Sequence, residues 1–129
     1  MRISFTEREL DVMAVLWARG SGTVGEVREA LSGDFARTTV LTVLRTLEDK
    51  GYVAHVAEGQ THRYTPRVDS DTAGGSALQR ILDTMFAGSA ERLLAQFVSD
   101  RKIDRDQLRQ LRAVLDERLA PRRRRKQRP

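Results

Sequence analysis

The chain has 129 residues, 40% of them hydrophobic and 32% charged, which suits one ordinary domain or a compact head with a smaller appendage. It has no cysteine, which excludes disulfides, thiolate metal sites and a cysteine nucleophile. The net charge of +5 is local: removing the six basic residues of the final PRRRRKQRP from the 23 leaves 17 against 18 acidic residues in 1–120. A basic nucleic-acid face is therefore not visible in composition, and only the placement of side chains can reveal one.

MRISFTEREL has no apolar signal core, and no stretch nears the roughly 20 apolar residues of a membrane span, so a cytoplasmic protein without membrane insertion is expected. Thr6 with Glu9 three residues on forms a capping box, and Phe5 with Leu10 is placed as a hydrophobic staple. Leu10, Val12, Met13, Leu16 and Trp17 then supply an apolar face that Gly20 closes. Thr23 and Glu26 repeat the capping box for a short second helix with Val24, Val27 and Leu31 inward, ended by Ser32-Gly33. The third helix starts poorly at Ala36, with Asp34 as an alternative cap, and carries Val40, Val43, Leu44 and Leu47 at i, i+3, i+4, i+7. It stops at Lys50-Gly51 and runs at once into a hairpin, the outline of a winged helix-turn-helix head over residues 1–67.

With Glu58-Gly59 at the tip, the expected register sets Val56 against Thr61, His55 against His62, Ala54 against Arg63 and Val53 against Tyr64, and Pro66 ends the second strand. Residues 69–76, DSDTAGGS, are expected as a linker or a frayed helix start. Three helical patterns follow within 68–120. The first ends at Gly88, Ser89 caps the second, and the third opens at Asp104 and stops before Pro121. Three amphipathic helices in about fifty residues cannot bury their apolar faces alone, so a homodimer is expected. Its seam draws on Leu82, Phe86, Leu93, Leu94, Phe97, Leu108, Leu111 and Leu115. The fold class is mainly α with a small β-hairpin. The last segment, 121–129, is expected as a basic disordered tail that adds non-specific affinity through counterion release.

Opposite the apolar stripe of the third helix lie Thr38, Thr42, Arg45 and Asp49. Threonine offers a hydroxyl to base edges and a methyl to thymine, so Thr38, Thr39 and Thr42 are read as base contacts in a major groove. Four threonines in nine positions (Thr46 is the fourth) disfavour the helix, which argues for a use beyond packing. Arg45, Lys50 and Arg63 are the candidates for DNA backbone contacts, with Glu48 and Asp49 near enough to compete for them. His55 and His62 read as a surface pair, since no third histidine or cysteine exists to complete a metal site, and no cofactor is expected. No nucleophile, base and orienting acid stand together, and Gly74-Gly75 is too little for a phosphate loop, so an enzyme is not expected.

The blocks TERELDVMAVLW, TVGEVREAL, TTVLTVLRTLEDKGYV and HRYTP resemble those of the penicillinase-repressor family, over residues 4–67 and more loosely to 119. The resemblance implies a dimeric winged-helix repressor on a palindromic double-stranded DNA operator. It places Thr39 and Thr42 on the family's recognition-helix threonines, and Thr38 and Leu41 where other members carry basic readers, which implies an altered operator preference. In several members a membrane-bound zinc peptidase cuts the repressor at an Asn-Phe bond in its dimerisation helices. The aligned bond here is Gln96-Phe97, without the asparagine. The copper-responsive branch uses a Cys-rich tail, which this chain lacks. Two other readings stand beside the repressor: a winged helix used as a protein-interaction module, and a repressor released by a small ligand.

Overall fold

The computed structural model describes residues 3–31, 35–100 and 102–121. Its elements run α1 Glu7–Arg19, β1 Gly22–Thr23, α2 Val24–Ala30, α3 Arg37–Asp49, β2 Val53–Glu58, β3 Thr61–Pro66, α4 Ser70–Met85, α5 Ala90–Asp100 and α6 Arg105–Leu119. The capping signals hold. Thr6 and Glu9 bond each other's backbone N–H at 3.1 and 2.8 Å, Thr23 and Glu26 do the same at 3.2 and 3.1 Å, and Asp104 and Gln107 repeat it on α6. The α3 start has no side-chain cap at Ala36, while Asp34, Ser32-Gly33 and the 122–129 tail lie outside the described residues. Gly51 ends α3 at φ +86°, with its N–H on the Glu48 carbonyl and the Tyr52 N–H on that of Leu47, the doubly bonded Schellman stop.

One core holds the head together. Val12, Met13 and Leu16 of α1, Val24 and Val27 of α2, Val40, Leu44 and Leu47 of α3, and Tyr52, Val53 and Tyr64 of the wing are all buried. These belong to the stripes expected on each helix, of which Trp17, Leu31 and Val43 are only partly buried, and their common burial makes the segment a winged-helix head. The staple differs from expectation. Phe5 turns its ring onto Trp17 (6.0 Å, edge-on) and Tyr52 (4.9 Å), while Leu10 stays 47% exposed. Two aromatic surfaces from distant positions offered Phe5 a larger apolar contact than a local leucine.

The hairpin is part of a three-stranded antiparallel sheet, ordered β1-β3-β2. Strand β1, two residues long, pairs Gly22 with Tyr64 and Thr23 with Arg63; it is too short to leave a period-2 signal. The β2–β3 register is two residues tighter than expected, with Glu58 facing Thr61, Val56 facing Arg63, His55 facing Tyr64 and Val53 facing Pro66. Gly59, at φ +63°, opens the two-residue loop Gly59-Gln60, the position where a type II′ hairpin wants glycine. A slip of two keeps every side chain on its expected face.

The segment 69–76 is helix from Ser70 onward. Asp69 caps α4 through its bond from the Thr72 N–H at 2.6 Å, and Ala73 buries 96% of its surface. Trp17 Nε1 donates to the Val68 carbonyl at 2.8 Å, tying the approach to α4 onto α1. Beyond that point the apolar stripes find little cover: α5 and α6 contain no buried residue, and α4 only Ala73.

Candidate nucleic-acid interface

Helix α3 faces the core with Val40, Leu44 and Leu47, so the geometry of a 3.6-residue turn sends Thr38, Thr42, Arg45 and Asp49 outward. All four are exposed, as expected, and Thr39 and Leu41 border them half-buried. Thr46 is also half-buried and donates its hydroxyl to the Thr42 carbonyl at 3.0 Å, so it serves the helix and not a ligand.

The three cations expected on a DNA backbone divide. Arg45 is exposed and makes no ion pair among the described residues. Lys50 bonds Glu9 at 2.8 Å, joining the end of α3 to the start of α1. Burial alone would push the Glu9 carboxyl upward; the bond and charge of Lys50 and the Thr6 N–H outweigh it and leave the carboxyl below its usual range.

Arg63 is gripped on both sides. Its Nε and Nη2 donate to Glu58 at 2.7 and 3.0 Å, its Nη1 and Nη2 to Glu26 at 3.0 and 3.2 Å, and its Nη1 also to Ser21 Oγ at 3.1 Å. These are as many bonds as a guanidinium has N–H donors, so none is left to greet a phosphate. The hydrogen bonds from Arg63 and the Thr23 N–H hold Glu26 down to about 2, and Glu58 and Glu26 raise Arg63 further above its already high range. Arg19 reaches the same Glu26 at 3.1 Å. The cluster welds the wing to the start of α2, setting the angle between wing and α3.

On the opposite face of the wing, His55 and His62 are diagonal neighbours instead of direct partners, and their rings stack at 4.1 Å with 10° between planes. His55 Nδ1 lies 2.7 Å from Glu48, so the carboxylate that was a competitor for the arginines is committed to the imidazole. Stacked rings do not converge their nitrogens, and the described residues contain no metal-holding group of three His, Cys, Asp or Glu. Beside the stack a cleft of about 180 Å³ opens between α3 and the wing, lined by Val24, Arg37, Leu41, Arg45, Gln60, Thr61, His62 and Tyr64.

A model of the penicillinase repressor family matches residues 5–117. The chain belongs to the penicillinase repressor family. The transcriptional regulator BlaI of Mycobacterium tuberculosis is 35% identical over 113 residues, covering 84% of this chain and 80% of its own. The penicillinase repressor of Bacillus licheniformis is 26% identical over 114 residues, covering 87% and 89%. Among solved structures, the monomeric form of Bacillus licheniformis BlaI in complex with the blaP half-operator covers 55% of this chain and 89% of its own, at 33% identity and a TM-score of 0.47.

In this family member sequence reasoning passed over Arg37, and it missed what His62 shares a cleft with and what Glu9, Glu26 and Glu58 bind. Glu9 and Glu26 were legible as N3 caps. Their second partners, Lys50 and Arg63, stand 41 and 37 residues away and leave no local mark. Arg37 and His62 line one cleft only because the wing folds back along α3.

Proposed function

We propose that this transcriptional repressor binds a palindromic DNA operator as a homodimer, laying α3 of each head in a major groove with the wing against the neighbouring backbone. The observation that carries it is the exposed row Thr38, Thr42 and Arg45 on a helix whose other face is locked into the core. Thr38, Thr39, Leu41 and Thr42 are the base-reading set, and Arg45, joined by Arg37, contacts phosphate. Lys50 and Arg63 act one step back, holding α3 and the wing at their angles. The reading includes a cytoplasmic location and no enzymatic activity; among the described residues no helix is long and apolar enough to cross a membrane.

The dimer reading is supported by helices α4, α5 and α6. Leu78, Met85, Leu94, Phe97, Leu108, Val114, Leu115 and Leu119 are between 40% and 80% exposed on helices that bury almost nothing. Such a run of apolar surface needs a partner, and a second copy supplies an equal face by symmetry. The opening of about 400 Å³ lined by Phe97, Lys102, Ile103, Gln107, Gln110 and Leu111 lies along this face, and we assign it to the partner copy before any small ligand. Release by a membrane-bound zinc peptidase is the route of several family members, and the bond aligned with their Asn-Phe cut is Gln96-Phe97, without the asparagine. Here that bond sits inside α5, where Gln96 also bonds Asp100, so cleavage requires local unwinding of the helix.

Gel shifts against the region upstream of the chain's own gene test the central reading. A salt-sensitive, sequence-preferring complex is expected; the absence of any specific complex would favour a protein-interaction module. Following the intact chain by immunoblot in β-lactam-treated cells separates proteolysis from ligand release, since a ligand leaves the chain whole.

A further inference from the structure

The cleft between α3 and the wing gathers cationic side chains beside the reading face, and no carboxylate lines it. Arg37, Leu41 and Arg45 follow each other at i, i+4, i+8 along α3 and form one wall, and Gln60, Thr61 and His62 of the wing form the other. Neither arginine is ion-paired among the described residues, in contrast to Lys50 and Arg63. Helix α2 contributes only Val24 to the lining. The charged and titratable groups facing His62 are therefore Arg37 and Arg45 from α3, His55 from β2 and Tyr64 from β3, with Glu48 of α3 reached through its bond to His55.

That arrangement makes the two histidines unequal. A carboxylate accepts and does not donate, so Glu48 keeps a hydrogen on His55 Nδ1 and offsets charge on that ring. His62 has no such partner; it stacks on His55 and shares its cleft with two guanidinium groups. An anion entering the cleft meets the two guanidinium groups and the His62 ring with no carboxylate in the lining.

We propose that Arg37, Arg45 and His62 form a site for one phosphodiester group of the DNA backbone, and that duplex binding takes up a proton on His62. The proposal rests on the DNA-binding reading above and deepens it, giving the wing histidine a role that the surface-pair reading did not. The sign follows from linkage. Binding favours the protonated ring, so affinity rises as pH falls through the range where histidine changes charge. Because a phosphate carries no sequence information, the effect belongs to every duplex and not only to an operator.

The test uses the full chain and a 30-base-pair duplex of mixed sequence, with fluorescence anisotropy at pH 6.0 and 7.5 and constant ionic strength. The unmodified chain is expected to bind on the order of three- to tenfold tighter at pH 6.0. His62→Gln loses that dependence, His62→Arg keeps the tight affinity at both pH values, and His55→Gln leaves the dependence in place. Circular dichroism confirms that each variant is folded; His62 is exposed, so the head core is untouched. A pH dependence that survives in His62→Gln, or that vanishes only in His55→Gln, overturns the proposal while duplex binding itself stands. Failure of the unmodified chain to bind any duplex at low salt overturns the proposal together with the DNA-binding reading, so the two failures are distinguishable.

Discussion

Thr42 and Arg63 show how far apart two polar side chains of one domain stand in what they do. Thr42 is exposed on α3, free to present its hydroxyl and methyl to a base pair. We expect Thr42→Ala to lose about 1–3 kcal/mol of discrimination at one base pair while leaving thermal stability nearly unchanged. Binding measured against a set of single-base operator variants checks this, and an unaltered preference would remove Thr42 from the base-reading set. Arg63 sits at the other extreme. Arg63→Ala strips Glu58 of its partner and leaves Glu26 to Arg19 alone, so affinity for all duplexes falls as the wing loses its brace. The slope of log K against log salt changes little, because no phosphate contact is removed. Arg63→Lys is expected to rescue poorly, since an ammonium cannot span two carboxylates with a planar fork. A slope that drops by about one in Arg63→Ala would return Arg63 to the phosphate contacts. Thr42 was legible from helical periodicity. The grip on Arg63 was not, because it depends on a wing closing onto a turn 37 to 42 residues earlier.

At the scale of elements, the head depends on α3 stopping where it does and packing where it does. Leu44 is fully buried between α1, α2 and the wing core, so Leu44→Ala should destabilise the head by about 2–5 kcal/mol in chemical denaturation. Gly51→Ala places a Cβ at φ +86° and should cost about 1–2 kcal/mol, read as a lower denaturation midpoint with an unchanged slope. The link between α2 and the wing also carries a pH signature. Glu26 is held near 2 in the folded head against an ordinary 4.5, so its contribution is full above 4.5 and is lost as pH falls toward 2. Acid titration of the unmodified head should therefore show weakening in that window, and Glu26→Gln should weaken the head near neutrality while shrinking the acid-dependent part. The starts of α1 and α2 were readable from capping boxes, the start of α6 from Asp104, and the end of α3 from Lys50-Gly51. Of the two expectations for 69–76, linker or frayed helix start, the structure has helix from Ser70 on, capped by Asp69 and with Ala73 buried, despite two glycines of poor propensity.

At the scale of the whole molecule, the contrast is between a head with a closed core and three following helices with almost none. An expected homodimer buries the exposed leucines of α4, α5 and α6. Leu94→Asp with Leu115→Asp should then convert the chain to monomers in sedimentation at micromolar concentration while the head melts as before. The operator affinity of that variant should fall by far more than its half-site affinity, because only a dimer engages two half-sites at once. A monomeric mass for the unmodified chain would sink the dimer reading.

The sequence by itself determined the helices, their inward and outward faces, the presence of a wing and the family, because periodicity, capping and glycine stops act within a few residues and leave a local record. Only the tertiary structure decided which polar side chains remained available. Lys50 and Arg63 were drawn to carboxylates and Glu48 to His55, since charge seeks partners through space and not along the chain, while the wing folding along α3 set Arg37, Arg45 and His62 around one cleft.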